Sequence, residues 1–274
     1  MKFDLHMHSV YSDGDLLPEA LALIANEQSL DMVALTDHDS MAGYLPFLKA
    51  LQPYNIRLIP GVEWSVSWQQ QEIHVLGLGF DPHSLNLQRY LDVQFQRRFA
   101  RALKIAQSLT AMGFKDNFRA VVEVAGHHHL SRTHFAKYLV DICGVKDYKA
   151  AFRDYLGRHA KAYVPSRWGG IAETVDVIHA AGGYAILAHP LHYQLTTAQL
   201  KGLFRDFKQQ GGDGIELISA YQSAKDGHRL LQLAKPFNFL YSSGSDFHRT
   251  QAFRPTLGGQ STLDAEIEWI WQVL

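Results

Sequence analysis

Short apolar runs that end in polar residues alternate along this chain with stretches whose apolar positions recur at helical spacing. "FDLHMHS" at 3–9 is followed by a helical pattern from Pro18 to about Gln28, with Pro18 suited to the first turn. "MVALTDHD" (32–39) leads into a helix near 41–51, and "IRLIPGVEWSV" and "EIHVLGLGF" come next. "GYAILAHP" (183–190), "GIELISA" (214–220) and "FLYSSGSDFH" (239–248) complete seven candidate strands. Their alternation with helices predicts parallel βα units and an α/β fold. Gly182-Gly183 and Gly211-Gly212 read as helix stops. Residues 84–162 break the rhythm. There Leu91, Phe95, Phe99, Leu103 and Ala106 recur at helical spacing, a second helix is expected from about Thr133 to Ile142, and no strand is evident. The expectation is a helical insertion that closes over the mouth of a barrel.

The length of 274 residues suits one large α/β barrel, and 47% hydrophobic residues supply a sizeable core. A net charge of -1 gives no long-range pull on polyanions, so any nucleic-acid contact must come from a local basic pocket. The single cysteine, Cys143, excludes an intramolecular disulfide and a thiolate metal cluster. With no apolar run long enough to span a membrane and no leader-like start, a soluble cytoplasmic protein without membrane contact is expected. No protein partner is evident. The fifteen histidines are the oddity, and their positions matter more than their number.

On a strand, positions i and i+2 face one side, so His6 and His8 can address one metal ion, with Asp13 following closely. Similar chemistry ends other runs: Asp37 and His38 the second, Glu63 the third, His189 the fifth, Asp246 and His248 the last. His74 lies at the start of its run, facing either into or out of the barrel. In a parallel α/β barrel the C-terminal ends of the strands form the active face. So many nitrogen and carboxylate ligands exceed the needs of a single ion, which points to a cluster of two or three with a bridging carboxylate.

"DLHMHSVYSDG", "ALTDHD", "PGVEWS", "IHVLGLGF", "LAHP" and "GSDFH" together resemble, in order and across nearly the whole chain, the motifs of the PHP (polymerase and histidinol phosphatase) family. The resemblance implies a distorted seven-stranded (β/α) barrel with a trinuclear metal site. It implies that His6, His8, Glu63 and Asp246 hold one ion. Glu63 then bridges to a second ion held by His74 and His189, and Asp13, His38 and His248 hold the third. On this reading the barrel comprises 1–83 and 163–274, and 84–162 is an inserted substrate-binding subdomain. Mixed imidazole and carboxylate ligands suit Mn²⁺, Fe²⁺ or Zn²⁺ better than Mg²⁺, and the resemblance favours three Mn²⁺.

"LSRTHFAKYLV" (130–140) narrows the expectation. Ser131 suits a helix N-cap, and Arg132, His134 and Lys137 then lie in the first two turns, an arrangement that favours an anion. The stretch, with "AYVP" at 162–165, resembles PHP proteins that remove the 3′-phosphate from nucleoside 3′,5′-bisphosphates, some of which trim RNA from its 5′ end. The implied substrate is a small nucleotide or short 5′-phosphorylated RNA. The implied reaction is metal-assisted phosphoester hydrolysis, with Glu63 as the bridging ligand. No general acid is evident, and His192 and His248 are the candidates. Where such relatives often carry an arginine after "AHP", Leu191 and His192 stand here. The rivals are a phosphatase for another small phosphoester, such as histidinol phosphate, and a catalytically silent metal-binding module. "HHH" at 127–129 reads as a flexible, solvent-exposed tract, and Glu216 is left without a role. Core packing is the commoner fate of Trp64, Trp68 and Trp168, with base stacking as the alternative.

Overall fold

The computed structural model describes residues 2–219, 222–250, 256–260 and 267–274. Seven strands form one sheet in the order of the chain: β1 (Phe3–Asp4), β2 (Met32–Leu35), β3 (Arg57–Trp68), β4 (Gln71–Leu78), β5 (Tyr184–Leu187), β6 (Gly214–Ile218) and β7 (Leu240–Ser243). Ala220, the last residue of the expected sixth run, lies outside the described residues. Beyond β1 and β7 the chains continue side by side: the Leu5 N–H donates to Ser243 O, Asp246 N–H to His6 O and His8 N–H to Phe247 O. The sheet is thereby nearly closed into a barrel.

The expectation of parallel units holds for β1–β2–β3 and β5–β6–β7 but fails for β4, which is antiparallel to both its neighbours. The reason is local. Only Gln69 and Gln70 separate β3 from β4, and a parallel pairing needs a crossover of a dozen residues or more.

Alternation along β3 and β4 sets which side chains enter the barrel. Val62, Trp64, Val66 and Trp68 face outward with Ile73 and Val75, and pack with Ile171, Val175 and Ile178 of α7 (Ile171–Ala180). Glu63, Ser65, Glu72 and His74 therefore take the inner face. Leu5, Ala34, Ile59, Leu76 and Ile186 fill the barrel below them. Beside β1 and β2, Met7, Val33 and Leu35 pack on α1 (Pro18–Glu27) and α2 (Tyr44–Leu51). After β5 and β6 come α8 (Thr197–Gln209) and α9 (Ala224–Ala234).

Between β4 and β5 the chain is helical: α3 (Leu85–Ala111), α4 (Asn117–Ala125), α5 (Arg132–Asp141) and α6 (Tyr148–Ala151), with a cluster of their own around Ile105, Leu109, Phe135 and Leu139. The buried face of α3 differs from the expected stripe. Phe95 and Phe99 lie on its flank, half-buried against His129 and His128, and Leu103 is exposed. The buried line runs instead through Leu87, Tyr90, Gln94, Arg98, Ala102 and Ile105. Two of those positions are polar, and both reach the barrel mouth.

Candidate metal centre and anion pocket

Of the strand-end residues singled out from the sequence, all but Asp37 meet in one cluster at one end of the barrel. The Nε2 atoms of His6 and His8 lie 3.2 Å apart. Both face Glu63 Oε2, at 3.4 and 3.1 Å, and Asp246 Oδ1, at 3.4 and 3.3 Å. The other carboxylate oxygen of Glu63 lies 2.8 Å from His74 Nδ1 and 2.9 Å from His189 Nε2. His74 thus points into the barrel. His38 turns Nδ1 toward Glu63 Oε2 (2.9 Å) and Nε2 toward Asp13 Oδ1 (3.7 Å), which also meets His248 Nε2 at 3.3 Å.

The backbone that holds this array is specified locally. Ser9 and Ser12 hydroxyls both donate to Asp37, which staples the loop carrying His8 and Asp13 and keeps Asp37 away from the cluster. Asp4 accepts from the Ser245 and Gly258 N–H groups and ties the first strand to the last. Gly244 is required by contact, because a Cβ there would come within 2.3 Å of His6 Cβ. His189 and Asp246 adopt positive φ, +27° and +49°, conformations that L-residues hold only where their surroundings impose them.

The donor set fits divalent metal. Asp13 Oδ1, His38 Nδ1 and Glu63 Oε2 are buried and crowd against other ligand atoms without the geometry of a hydrogen bond to any described residue, whereas buried polar atoms are nearly always paired. Three groups can each present their ligand atoms to one ion: His6, His8, Glu63 and Asp246; His38, Glu63 and His74; and His8, Asp13, His38 and His248. Burial alone would raise the Glu63 carboxyl, but the imidazoles of His38, His74 and His6 outweigh it and hold it well below the usual range. Burial likewise opposes the ionised form of Asp13, and His38 and His248 overcome it.

Glu216, unassigned from the sequence, stands behind this cluster. It is fully buried, accepts from His6 Nδ1 at 3.1 Å and accepts the His189 N–H at 2.7 Å. One carboxylate so orients the ring of one candidate ligand and the backbone of another. Its place on the inner face of β6, beside outward-facing Ile215 and Leu217, was readable from alternation.

A cavity of about 260 Å³ opens over the cluster. Asp13, His38, Glu63, His74, His189, Asp246 and His248 line one side, and Glu72, Arg98, Arg101, Ser131, Arg132 and Thr133 line the other. Arg98 Nε donates to Asp39 at 2.7 Å and its Nη2 donates to Ser65 Oγ at 2.7 Å. Arg101 pairs with Glu72 at 3.3 Å through one Nη, while its buried Nη2 has no hydrogen-bond partner among the described residues. Both guanidinium groups stack on Trp168, at 5.2 and 5.5 Å. Burial disfavours an ionised Glu72, but His74, Arg101 and Arg132 keep it well below the usual carboxylate range.

Sequence reasoning missed Arg98, Arg101 and Glu72. Gln94, Arg98 and Arg101 at i, i+4 and i+7 were a polar line on an otherwise amphipathic helix. Among the expected anion-binding residues, Ser131 caps α5, its hydroxyl accepting from the Thr133 N–H, and Arg132 lines the cavity. The other two need correction. His134 is buried, accepts the Ser131 N–H on Nδ1, and burial pushes it down to about 4, so it is a neutral cap and not a cation. Lys137 lies outside the cavity, 4.0 Å from Asp15 on the surface.

His192 also departs from expectation. It is exposed and stacks on the outer face of His189, 5.1 Å away, lining a separate cavity with Leu195 and Arg229. The histidine tract is tied down: His127 Nε2 bonds Val10 O and His129 Nε2 bonds His38 O at 2.6 Å, with only His128 exposed. Trp64 and Trp68 are core residues, and Trp168 lies beneath the arginines.

Known proteins of similar sequence share this architecture. The family model for the PHP domain matches residues 4–255. A 5′-3′ exoribonuclease of Haemophilus influenzae is 39% identical over 90% of this chain and 90% of its own. A 3′,5′-nucleoside bisphosphate phosphatase of Chromobacterium violaceum is 36% identical over 99% of this chain and 95% of its own. The solved structure of an amidohydrolase from Chromobacterium violaceum, with bound sulfate and no metal, superposes with a TM-score of 0.92 at 35% identity. That match covers 100% of this chain and 95% of the other.

Proposed function

We propose that this chain, which belongs to the PHP domain family, is a metal-dependent phosphoesterase that removes the 3′-phosphate from nucleoside 3′,5′-bisphosphates and trims short 5′-phosphorylated RNA from its 5′ end. One observation carries the reading: a single cavity joins a wall of imidazoles and carboxylates to a wall of arginines. A substrate with two phosphates satisfies both walls at once. Histidinol phosphate, with one phosphate, leaves the arginines without a task, and a silent metal-binding module has no need of them.

On this reading the three groups of ligand atoms hold three divalent ions, with Mn²⁺ preferred and His189 joining Glu63 and His74. When bound, such ions supply hydroxide from water near neutral pH and neutralise charge on phosphoryl oxygens. Arg98, Arg101 and Arg132, with the capped start of α5, fix the non-reacting 5′-phosphate and so place the 3′-phosphoester against the ligand cluster. The chain offers no evident general acid among the described residues. His248 donates Nδ1–H to Asp246 O, and its Nε2, 3.3 Å from Asp13 Oδ1, is committed to the ligand cluster. His192 lies behind His189. The leaving 3′-oxygen therefore takes its proton from solvent.

Residues 84–162 act here as the substrate-binding subdomain of a barrel built from 1–83 and 163–274, supported by their separate apolar cluster. A cytoplasmic setting suits nucleotide substrates, and no helix among the described residues is long and apolar enough to cross a membrane. The same pose serves both activities, because hydrolysis at the 3′-oxygen of an oligoribonucleotide releases a 5′-mononucleotide and a chain that again begins with a 5′-phosphate. The test offers one short RNA with a 5′-phosphate or a 5′-hydroxyl. Fast release of 5′-mononucleotides from the phosphorylated form alone is expected. Equal rates on the two, or products bearing a 3′-phosphate, overturn the pose.

A further inference from the structure

Two carboxylates stand behind candidate metal ligands, and they are held very differently. Glu216 is locked, fully buried and bonded at 3.1 Å to His6 and 2.7 Å to the His189 backbone. Glu72 is loose. Its Oε1 lies 3.8 Å from His74 Nε2 and also 3.8 Å from Arg132 Nη2, and its Oε2 lies 3.3 Å from Arg101 Nη1. A shift of roughly 1 Å turns either longer approach into a hydrogen bond. Its side chain is 20% exposed and lines the cavity.

We propose that Glu72 is an exchangeable counter-ion: it balances Arg101 and Arg132 until a substrate phosphate takes its place, and then turns onto Nε2 of His74. The proposal rests on the reading that these arginines bind the 5′-phosphate. Three features support the exchange. Arg101 keeps a buried Nη2 without a hydrogen-bond partner among the described residues, so it can accept an incoming anion before it releases Glu72. A phosphate monoester carries more charge and more acceptor oxygens than a carboxylate, and so competes well for two guanidinium groups. His74 Nδ1 faces Glu63 at 2.8 Å, which leaves Nε2 as the nitrogen that an outer carboxylate can engage.

The exchange links two events. A carboxylate on the outer nitrogen of a metal-binding imidazole fixes the ring and raises its basicity. Filling the phosphate seat thus strengthens the hold of His74 on its ion, and the return of Glu72 to the arginines helps expel the 5′-mononucleotide product. By reciprocity, nucleotide and metal each favour the other's binding.

The test is Glu72→Gln, which keeps the shape and removes the charge, probed with 3′-deoxyadenosine 5′-monophosphate and Mn²⁺. This nucleotide fills the phosphate seat without offering a 3′-hydroxyl to the ions. The variant should bind the nucleotide ~10-fold more tightly, because a competing carboxylate has gone. With the nucleotide bound it should also retain Mn²⁺ against a chelator ~10-fold less well than the wild type does, because the nucleotide no longer improves that retention. Opposite shifts are the signature, since a merely structural role weakens both. Unchanged or weaker nucleotide binding in the variant, or nucleotide-enhanced metal retention that survives it, overturns the proposal. If the wild-type protein fails to bind the nucleotide, the phosphate-seat reading itself falls. Glu72→Ala repeats the measurement with the side chain removed, and thermal melting verifies the fold of both variants.

Discussion

The two walls of the cavity solve opposite problems. The strand-borne wall gathers imidazoles and carboxylates on backbone held by the barrel, and leaves Asp13 Oδ1, His38 Nδ1 and Glu63 Oε2 without a hydrogen bond to any described residue. The helix-borne wall is nearly balanced before any ligand arrives: Arg98 is paired with Asp39, Arg101 and Arg132 approach Glu72, and Trp168 supports two of the three. A resident cation needs ligands that nothing else satisfies. A phosphate that must leave each cycle needs cations that another anion can reclaim. Unpaired ligand oxygens and nitrogens thus mark the lasting tenant of the cavity, and cations tempered by a nearby carboxylate mark the visitor.

The largest expected effect comes from the strand wall. Glu63→Gln removes the carboxylate that two of the three groupings of ligand atoms share, and should lower kcat by ~10³-fold or more, about 4 kcal/mol of barrier. Elemental analysis should show less metal per chain, with circular dichroism unchanged. Near-normal metal content together with near-normal turnover would remove Glu63 from the centre. Glu216→Gln comes next. It loosens the ring of His6 and the backbone of His189 together, and a ~10- to 100-fold loss of metal affinity is expected from titration against a chelator. Wild-type affinity in that variant would mean that the barrel alone positions His6.

The walls also differ in how far the sequence disclosed them. The strand wall was largely legible because most of its ligands end apolar runs, and alternation then dictates the side they face; His74, at the start of its run, was the one whose direction stayed open. His-x-His at 6 and 8, Glu63 after Val62, and Asp-x-His at 246 and 248 are local patterns. The helix wall depends on which face of α3 is buried, and periodicity favoured Phe95 and Phe99 over Gln94 and Arg98. Tertiary contacts reversed that choice, because Asp39 and Ser65 take Nε and Nη2 of Arg98 and Trp168 supports the face of its guanidinium. His134 misled for a related reason: an imidazole near a helix start can complete the cap instead of meeting a ligand. The antiparallel β4 was foreseeable, since no helix lies between it and β3.

Arg101→Ala sharpens the division of labour between the walls. Its unpartnered Nη2 is the most available donor of the anion wall, so kcat/KM on a nucleoside 3′,5′-bisphosphate should fall ~10-fold or more, as for loss of a charged hydrogen bond. Hydrolysis of a nucleoside 3′-monophosphate, which brings nothing for that wall to hold, should change less than about 2-fold. Equal losses on both substrates would assign Arg101 to folding or to the metal centre.

The smallest effect is expected at Lys137, and it separates a charge near the helix start from a charge in the cavity. Arg132 and Lys137 both belong to the first turns of α5, and nothing in their spacing ranks one above the other. In the structure Arg132 faces Glu72 across the cavity, whereas Lys137 is 39% exposed and meets Asp15 at 4.0 Å, a surface pair worth ~0–1 kcal/mol. Salt also screens its field at the substrate. Lys137→Ala should therefore leave kcat/KM on the bisphosphate within about 2-fold of wild type at physiological ionic strength, with a slightly larger loss at low salt. The same assay on Arg132→Ala should show a loss of ~10-fold. Comparable losses in the two variants would show that the phosphate site spans the outer face of α5, and would move the anion wall away from Arg98 and Arg101.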